Sequence, residues 1–152
     1  MSEIALRPAT LEDAQAITMC LSAAYAAPLR DLPDLPDVTD GVAEDIAAHT
    51  AWVASQNGDI LGYIVFGRVD DAIMIFNLAV APHAQGKGLA KRLLDLVEDA
   101  ARTDGVETLV LRTHRKMTQT ISLYLHLGWE QMMVRGNSVS LQKTLTKERP
   151  LS

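Results

Sequence analysis

Apolar and polar side chains alternate at the start of the chain, Ile4, Leu6 and Pro8 against Ala5 and Arg7, which predicts a short opening strand. Thr10 then stands as an N-cap before Leu11-Glu12-Asp13, and the apolar positions move to helical spacing at Leu11, Ala14, Ile17, Leu21 and Ala24. Pro28 lacks the N–H that would continue the ladder, so this helix is expected to stop near Ala27. Pro28, Pro33 and Pro36 make the next segment an extended loop, after which Thr39 or Asp40 caps a short helix through Val42, Ile46 and Ala47. Trp52 to Ala54 and Ile60 to Phe66 read as strands joined at Asn57-Gly58, a pair suited to the positive backbone angles of a tight hairpin.

Ala72 to Val80 is a longer apolar run, rich in Ile, Phe and Val and interrupted by Asn77, as in a central strand buried on both faces. Helical spacing returns at Leu89, Ala90, Leu93, Leu94, Val97, Ala100 and Ala101 and ends at Gly105. Thr108 to Arg112 is a further strand, so strand, helix and strand form a right-handed crossover between parallel neighbours. A last helix over about Thr118 to Leu127 closes at Gly128, and Trp129 to Val134 and Ser138 to Leu145 pair as a hairpin at Gly136-Asn137.

This pattern has no internal repeat, and 152 residues with 48% apolar side chains suit a single domain over 1–152 with its own core. One cysteine, Cys20, precludes an internal disulfide framework. Met1 to Gln15 lacks the apolar region of a secretory signal, and the longest apolar stretch falls short of the roughly 20 residues of a membrane span. A cytoplasmic location without membrane contact is expected. The net charge of −5 argues against nucleic acid as the main partner. Between Arg30 and Asp45 six acidic residues face Arg30 alone, so the negative charge is concentrated there.

Gln85-Gly86-Lys87-Gly88-Leu89-Ala90 lies between the buried strand and the long helix, where helix-start N–H groups and the helix dipole both favour an anion. Gly86 and Gly88 let the backbone approach a pyrophosphate, Lys87 adds charge, and small Ala90 lets the helix pack closely. A nucleoside-triphosphate loop would need Ser or Thr after the lysine, where Gly88 stands, and a dinucleotide fold would need its glycines near the first strand. No histidine, cysteine or carboxylate cluster has metal-ligand spacing, so no metal is expected. Cys20 falls within the apolar spacing of the first helix and reads as a small buried hydrophobe.

Gln85, Gly88 and Ala90 match the signature of the GNAT N-acetyltransferase superfamily, which the sequence resembles over nearly its whole length in element order. Val80-Ala81-Pro82 is similar to the family's strand end, and Leu123-Tyr124 with Leu127-Gly128-Trp129 to its second motif. The resemblance implies an α/β fold with a mixed, mostly antiparallel sheet of about seven strands, helices on both faces and a split at the central parallel pair, for which Asn77 marks a bulge. It implies acetyl-CoA as co-substrate, with Leu78, Ala79 and Val80 holding the thioester arm and Gln85 to Ala90 the pyrophosphate.

Tyr124 stands where members of the family often keep a tyrosine near the coenzyme sulfur, and a phenol of pKa about 10 suits protonating a departing thiolate. The family's strand carboxylate, often the route to the general base, is absent from residues 72–80; His114 is one substitute, although a basic surface turn, His114-Arg115-Lys116, is the simpler reading of it. Met117 replaces the asparagine that commonly bonds the coenzyme. The acceptor is expected on the side of the first two helices, with Tyr25, Asp31, Asp34 and His114 as candidate contacts, and the acidic segment favours a cationic small-molecule or peptide amine. A homodimer through exposed terminal strands also fits the resemblance. The alternative is a non-catalytic acyl-CoA-binding regulatory module.

Overall fold

The periodicities resolve into strands and helices whose order, among the described residues 3–31 and 41–145 of the computed structural model, follows that reading closely. The strands are β1 (Ala5–Pro8), β2 (Thr50–Gln56), β3 (Asp59–Val69), β4 (Ala72–Val80), β5 (Thr108–His114), β6 (Glu130–Arg135) and β7 (Ser138–Thr144). The helices are α1 (Ala14–Asp31), α2 (Val42–Ala48), α3 (Leu89–Thr103) and α4 (Thr118–His126). One seven-stranded sheet runs in the order β1-β2-β3-β4-β5-β7-β6. The β4–β5 pair is parallel, and β1–β2, β2–β3, β5–β7 and β6–β7 are antiparallel. The parallel register runs from Ala72↔Thr108 to Ile75↔Leu111, although β4 continues to Val80 and β5 to His114, so the central ladder stops short of both strand ends.

Contacts gather into two units, one of Met1–Gly67 with Phe76–Asp95 and the other of Arg68–Ile75 with Leu96–Ser152. In the first, Ile17 and Leu21 of α1 and Val42 of α2 pack on Ala51, Val53, Tyr63, Val65 and Ala79. The opposite face carries Gly62, where an added Cβ would stand 3.2 Å from Leu93 of α3 and 3.5 Å from Ala54. Successive residues Val53 and Ala54 thus serve two helix layers, as strand alternation requires. Each fully buried Leu or Val of this kind stabilises the fold by about 1.5–3 kcal/mol. The predicted stripe of α3 is buried at Leu89, Leu93, Leu94, Val97 and Ala101.

In the second unit β5 and β7 pair over their full length, from Thr108↔Thr144 to His114↔Ser138, and bury Leu109, Leu111, Val139 and Leu141. The Lys143 ammonium donates to Glu98 at 2.9 Å and to the Leu127 carbonyl at 3.1 Å, tying β7 to α3 and to the end of α4. The hairpin at Asn57-Gly58 has the expected positive angles, φ 54° and 85°.

Two expectations change near the first loop. The first helical segment opens as a 3-10 turn at Leu11–Asp13, and α1 continues past Pro28 to Asp31 instead of stopping near Ala27. Proline removes the ladder bond from its own nitrogen and crowds the carbonyl four residues before it, and so close to the helix end the last turn survives that cost. The N-cap of α2 is Gly41, at φ 80°; Thr39 and Asp40, the expected caps, lie outside the described residues. At the first helix start, the Asp13 carboxylate accepts from the Thr10 N–H at 2.8 Å and from both terminal nitrogens of Arg7 at 2.8 and 2.9 Å. The Arg7 guanidinium, helped by Thr10, lowers the Asp13 pKa from 3.8 to about 2.

Candidate active site

Beyond Val80, the Ala81 N–H donates to the Leu61 carbonyl at 2.8 Å, Pro82–Ala84 form one 3-10 turn, and Ala84 is fully buried. This anchors the start of a turn whose next four residues, Gln85 to Gly88, are all exposed. Gly86 and Gly88 take φ 82° and 77°, a region that costs other residues about 1–2 kcal/mol, and a Cβ at either would meet no protein atom within 4 Å. The Gln85 side-chain amide folds back to the Val80 carbonyl at 3.3 Å, bracing the turn against the strand end. The ladder of α3 opens with Arg92 N–H to Gly88 O, so the N–H groups of Leu89 and Ala90 precede it and project from the helix start. Buried Leu89 fixes that first turn, Ala90 is half-buried, and Lys87 is exposed beside it. The turn therefore offers donors, a cation and open space on a rigid base, which suits a pyrophosphate.

Leu78, Ala79 and Val80 follow an irregular point in β4. Phe76 stacks on His49, ring centroids 4.2 Å apart at 30°, and its Cε2 lies 3.2 Å from the Cβ position of Gly67. Gly67 is two residues along β3 from Val65, which joins the cluster beneath α1. The next residue, Asn77, accepts a hydrogen bond from the Tyr25 hydroxyl of α1 at 3.3 Å, and Ala79 belongs to the same cluster. Successive side chains of a regular strand leave on opposite faces, so Phe76 and Asn77 both turned to the α1–α2 face mark a bulge. This fits the irregularity expected at Asn77. A bulge turns backbone groups out of the ladder, and N–H groups so turned can serve a carbonyl oxygen.

Tyr25 is half-buried, and burial pushes its phenol pKa up, so it serves as a neutral donor at physiological pH. Asp31 ends α1, and Asp34 lies outside the described residues; the acidic segment enters the described structure again at Glu44 and Asp45 in the first turn of α2. His114, in the second unit, accepts the Lys116 N–H on Nδ1 at 3.1 Å. With that lone pair engaged, a neutral ring carries its proton on Nε2, an arrangement suited to donating a hydrogen bond more than to taking a proton. Met117 is the N-cap position of α4, and its carbonyl accepts the Ile121 N–H.

Tyr124 is buried, 5% exposed, and meets Trp129 edge-on with ring centroids 5.3 Å apart at 71°. The end of α4 holds it there: Trp129 N–H bonds the Tyr124 carbonyl at 2.9 Å and Gly128 N–H the Leu125 carbonyl at 3.1 Å, with Gly128 at φ 95°. The motif Leu127-Gly128-Trp129 is thus the sequence form of a helix stop that fixes the tyrosine's ring. Cys20 is buried at 6% exposure, and burial pushes its thiol pKa up, so it lacks the thiolate character of a nucleophile. Among the described residues no group of three or more His, Cys, Asp or Glu could hold a metal ion, and no helix is long and apolar enough to cross a membrane.

The pairing of His49 with Phe76 over Gly67 escaped the sequence reading. A glycine inside a strand-like run is a signal of close approach, and Gly67 supplied it. What approaches it comes from a different element, the residue after α2, which no local pattern connects to β3.

Comparison with known proteins agrees with this architecture. The family described as Acetyltransferase (GNAT) family matches residues 19–129. The [ribosomal protein bS18]-alanine N-acetyltransferase of Escherichia coli K12 is 34% identical over 83 residues, 55% of this chain and 56% of that protein, so the match spans about half the length of the relative. The crystal structure of the ribosomal-protein-S18-alanine N-acetyltransferase from Escherichia coli superposes with a TM-score of 0.80 at 21% identity, covering 95% of both chains. The PaiA N-acetyltransferase of Thermoplasma acidophilum, solved in complex with coenzyme A, superposes with a TM-score of 0.80 at 16% identity over 93% of this chain and 99% of that one.

Proposed function

The chain belongs to the GNAT acetyltransferase family, and on that premise we propose that it moves the acetyl group of acetyl-CoA to a primary amine by direct attack. The observation that carries the proposal is the exposed left-handed turn at Gly86 and Gly88 opening α3, immediately after the bulged end of β4. Gln85 to Ala90 bind the pyrophosphate with helix-start N–H groups and Lys87. Backbone N–H groups of Leu78 to Val80 hold the pantetheine arm and polarise the thioester carbonyl, where they act in proportion to the charge that develops on oxygen. Tyr124 supplies the proton that the coenzyme thiolate takes as the tetrahedral intermediate collapses; its burial limits alternative protonation by bulk water. The buried, thiol-form Cys20 supports transfer within a ternary complex and not through a cysteine acyl-enzyme.

The acceptor enters on the α1–α2 side of the first unit, and the acidic residues of that region, Glu44 and Asp45 among them, favour a cationic amine. A peptide α-amine belongs to this class, as the name of the E. coli relative suggests. The test is release of coenzyme A thiol from acetyl-CoA with polyamines, aminoglycosides, amino acids and N-terminal alanine peptides. Preferential turnover of cationic acceptors supports the reading, whereas preference for neutral or anionic ones removes the electrostatic argument. Micromolar coenzyme binding without turnover of any acceptor would instead identify an acyl-CoA-binding regulatory module.

A further inference from the structure

The reaction proposed above needs a group that takes a proton from the acceptor, because an amine of pKa near ~10.4 is mostly ammonium at neutral pH and has no lone pair to attack with. Residues 72–80 contain no carboxylate, and His114 has its Nδ1 lone pair engaged. Of the remaining histidines, His83 is in the Pro82–Ala84 turn and His126 in the last turn of α4. His49 lies against β4 itself.

We propose that His49 is the proton acceptor for the amine, an inference that rests on the acetyltransfer reading and names a catalytic residue for it. Three observations carry it. The imidazole is exposed and its plane is set by the stack on Phe76, the residue two before Leu78, where the thioester arm is assigned. Gly67 beneath it has an ordinary backbone conformation, and its lack of a side chain is what admits the ring: a Cβ there would stand 2.9 Å from Nδ1 and 3.2 Å from Phe76. Nδ1 and Cγ are the ring atoms nearest the Cβ position of Gly67, so Nε2, across the ring from that bond, is the nitrogen farther from it.

Imidazole is the side chain that keeps a usable lone pair at neutral pH. The ionisable groups on the elements around it are Glu44 and Asp45 of α2, Asp59, Tyr63 and Arg68 of β3, and Cys20, Tyr25, Arg30 and Asp31 of α1; β2 and β4 contribute none. The acidic pair on α2 and the exposed Phe76 ring suit an approaching ammonium. His49 Nε2 removes one proton from the ammonium, and the freed lone pair forms the C–N bond at the thioester carbon. The C–S bond then breaks, and the second proton lost by nitrogen balances the one taken up by the coenzyme thiolate.

The experiment compares wild type, His49→Ala, His49→Gln and Gly67→Ala by thiol release across pH 6 to 10, with acetyl-CoA affinity from calorimetry as a second readout. The expected result is a fall in kcat/KM for the amine of about 100-fold or more at pH 7 in both His49 variants, shrinking towards pH 10 as solvent supplies free amine. Acetyl-CoA affinity stays within about twofold, and added imidazole partly restores His49→Ala. Gly67→Ala, which displaces the ring while keeping it, loses about tenfold in kcat without a change in coenzyme affinity. Wild-type pH dependence in the His49 variants, with unchanged rate, would overturn the assignment and leave only an aromatic cover for Gly67. A wild type that binds acetyl-CoA and acetylates nothing would overturn the acetyltransfer reading and this inference with it.

Discussion

Two turns use glycine in the same left-handed conformation to opposite ends. At Gly128 the backbone closes on itself, with the Trp129 and Gly128 N–H groups consumed by carbonyls of α4 and the Leu127 carbonyl consumed by Lys143. At Gly86 and Gly88 it opens, with the first N–H groups of α3 projecting from the helix start over exposed residues. Residue type sets the dihedral angle in both places. Whether a helix begins or ends there decides if donors are left for a ligand or carbonyls are covered by the chain.

The comparison is most at risk at Tyr124, which stands at the closed turn and is still assigned a chemical step. Tyr124→Phe should lower kcat about 100-fold while acetyl-CoA affinity measured by calorimetry is unchanged; full activity would make the closed turn purely structural. At the open turn, Gly88→Val should weaken acetyl-CoA binding about tenfold or more, since a β-branched residue resists the left-handed angle that aims the N–H groups. Unaltered affinity would reduce the turn to a chain reversal. Gly128→Ala should show the converse, a loss of about 1–2 kcal/mol in denaturant unfolding with coenzyme affinity of the folded protein preserved.

The smallest effect belongs to the start of the first helical segment. Asp13 has its pKa lowered from 3.8 to about 2, so its pairing with Arg7 stabilises the fold fully above the unfolded value and is lost as pH falls through about 2. The Arg7 side chain is 42% exposed, which limits the contribution to about 1 kcal/mol or less. Asp13→Asn should therefore be slightly less stable at pH 7 by urea unfolding and lose less stability than wild type between pH 5 and 2. A difference that does not narrow with acid would place the effect in the helix start and not in the ion pair.

Legibility in the sequence followed the range of the interaction. Asn57-Gly58, the α3 stripe and the Gly105 and Gly128 stops depend on residues within a turn or two, and they stand where the pattern puts them. The helix end at Pro28 was misplaced because a local rule for proline omits what the rest of α1 contributes, including the burial of Ile17 and Leu21. At the candidate site, the phosphate turn at residues 85–90 could be read for the same local reason. The stack of His49 on Phe76 could not, since 27 positions separate them and only strand pairing across Gly67 brings them together.

By itself, the sequence determined the element order, the open turn at the start of α3 and the tyrosine next to a helix stop, because dihedral preference and apolar spacing act over a few residues. Tertiary structure alone decided that Phe76 and Asn77 share a face, that Tyr25 bonds Asn77, and that a missing side chain at Gly67 seats an imidazole beside β4. Those relations join two strands and two helices, and no single segment carries the energy that sets them.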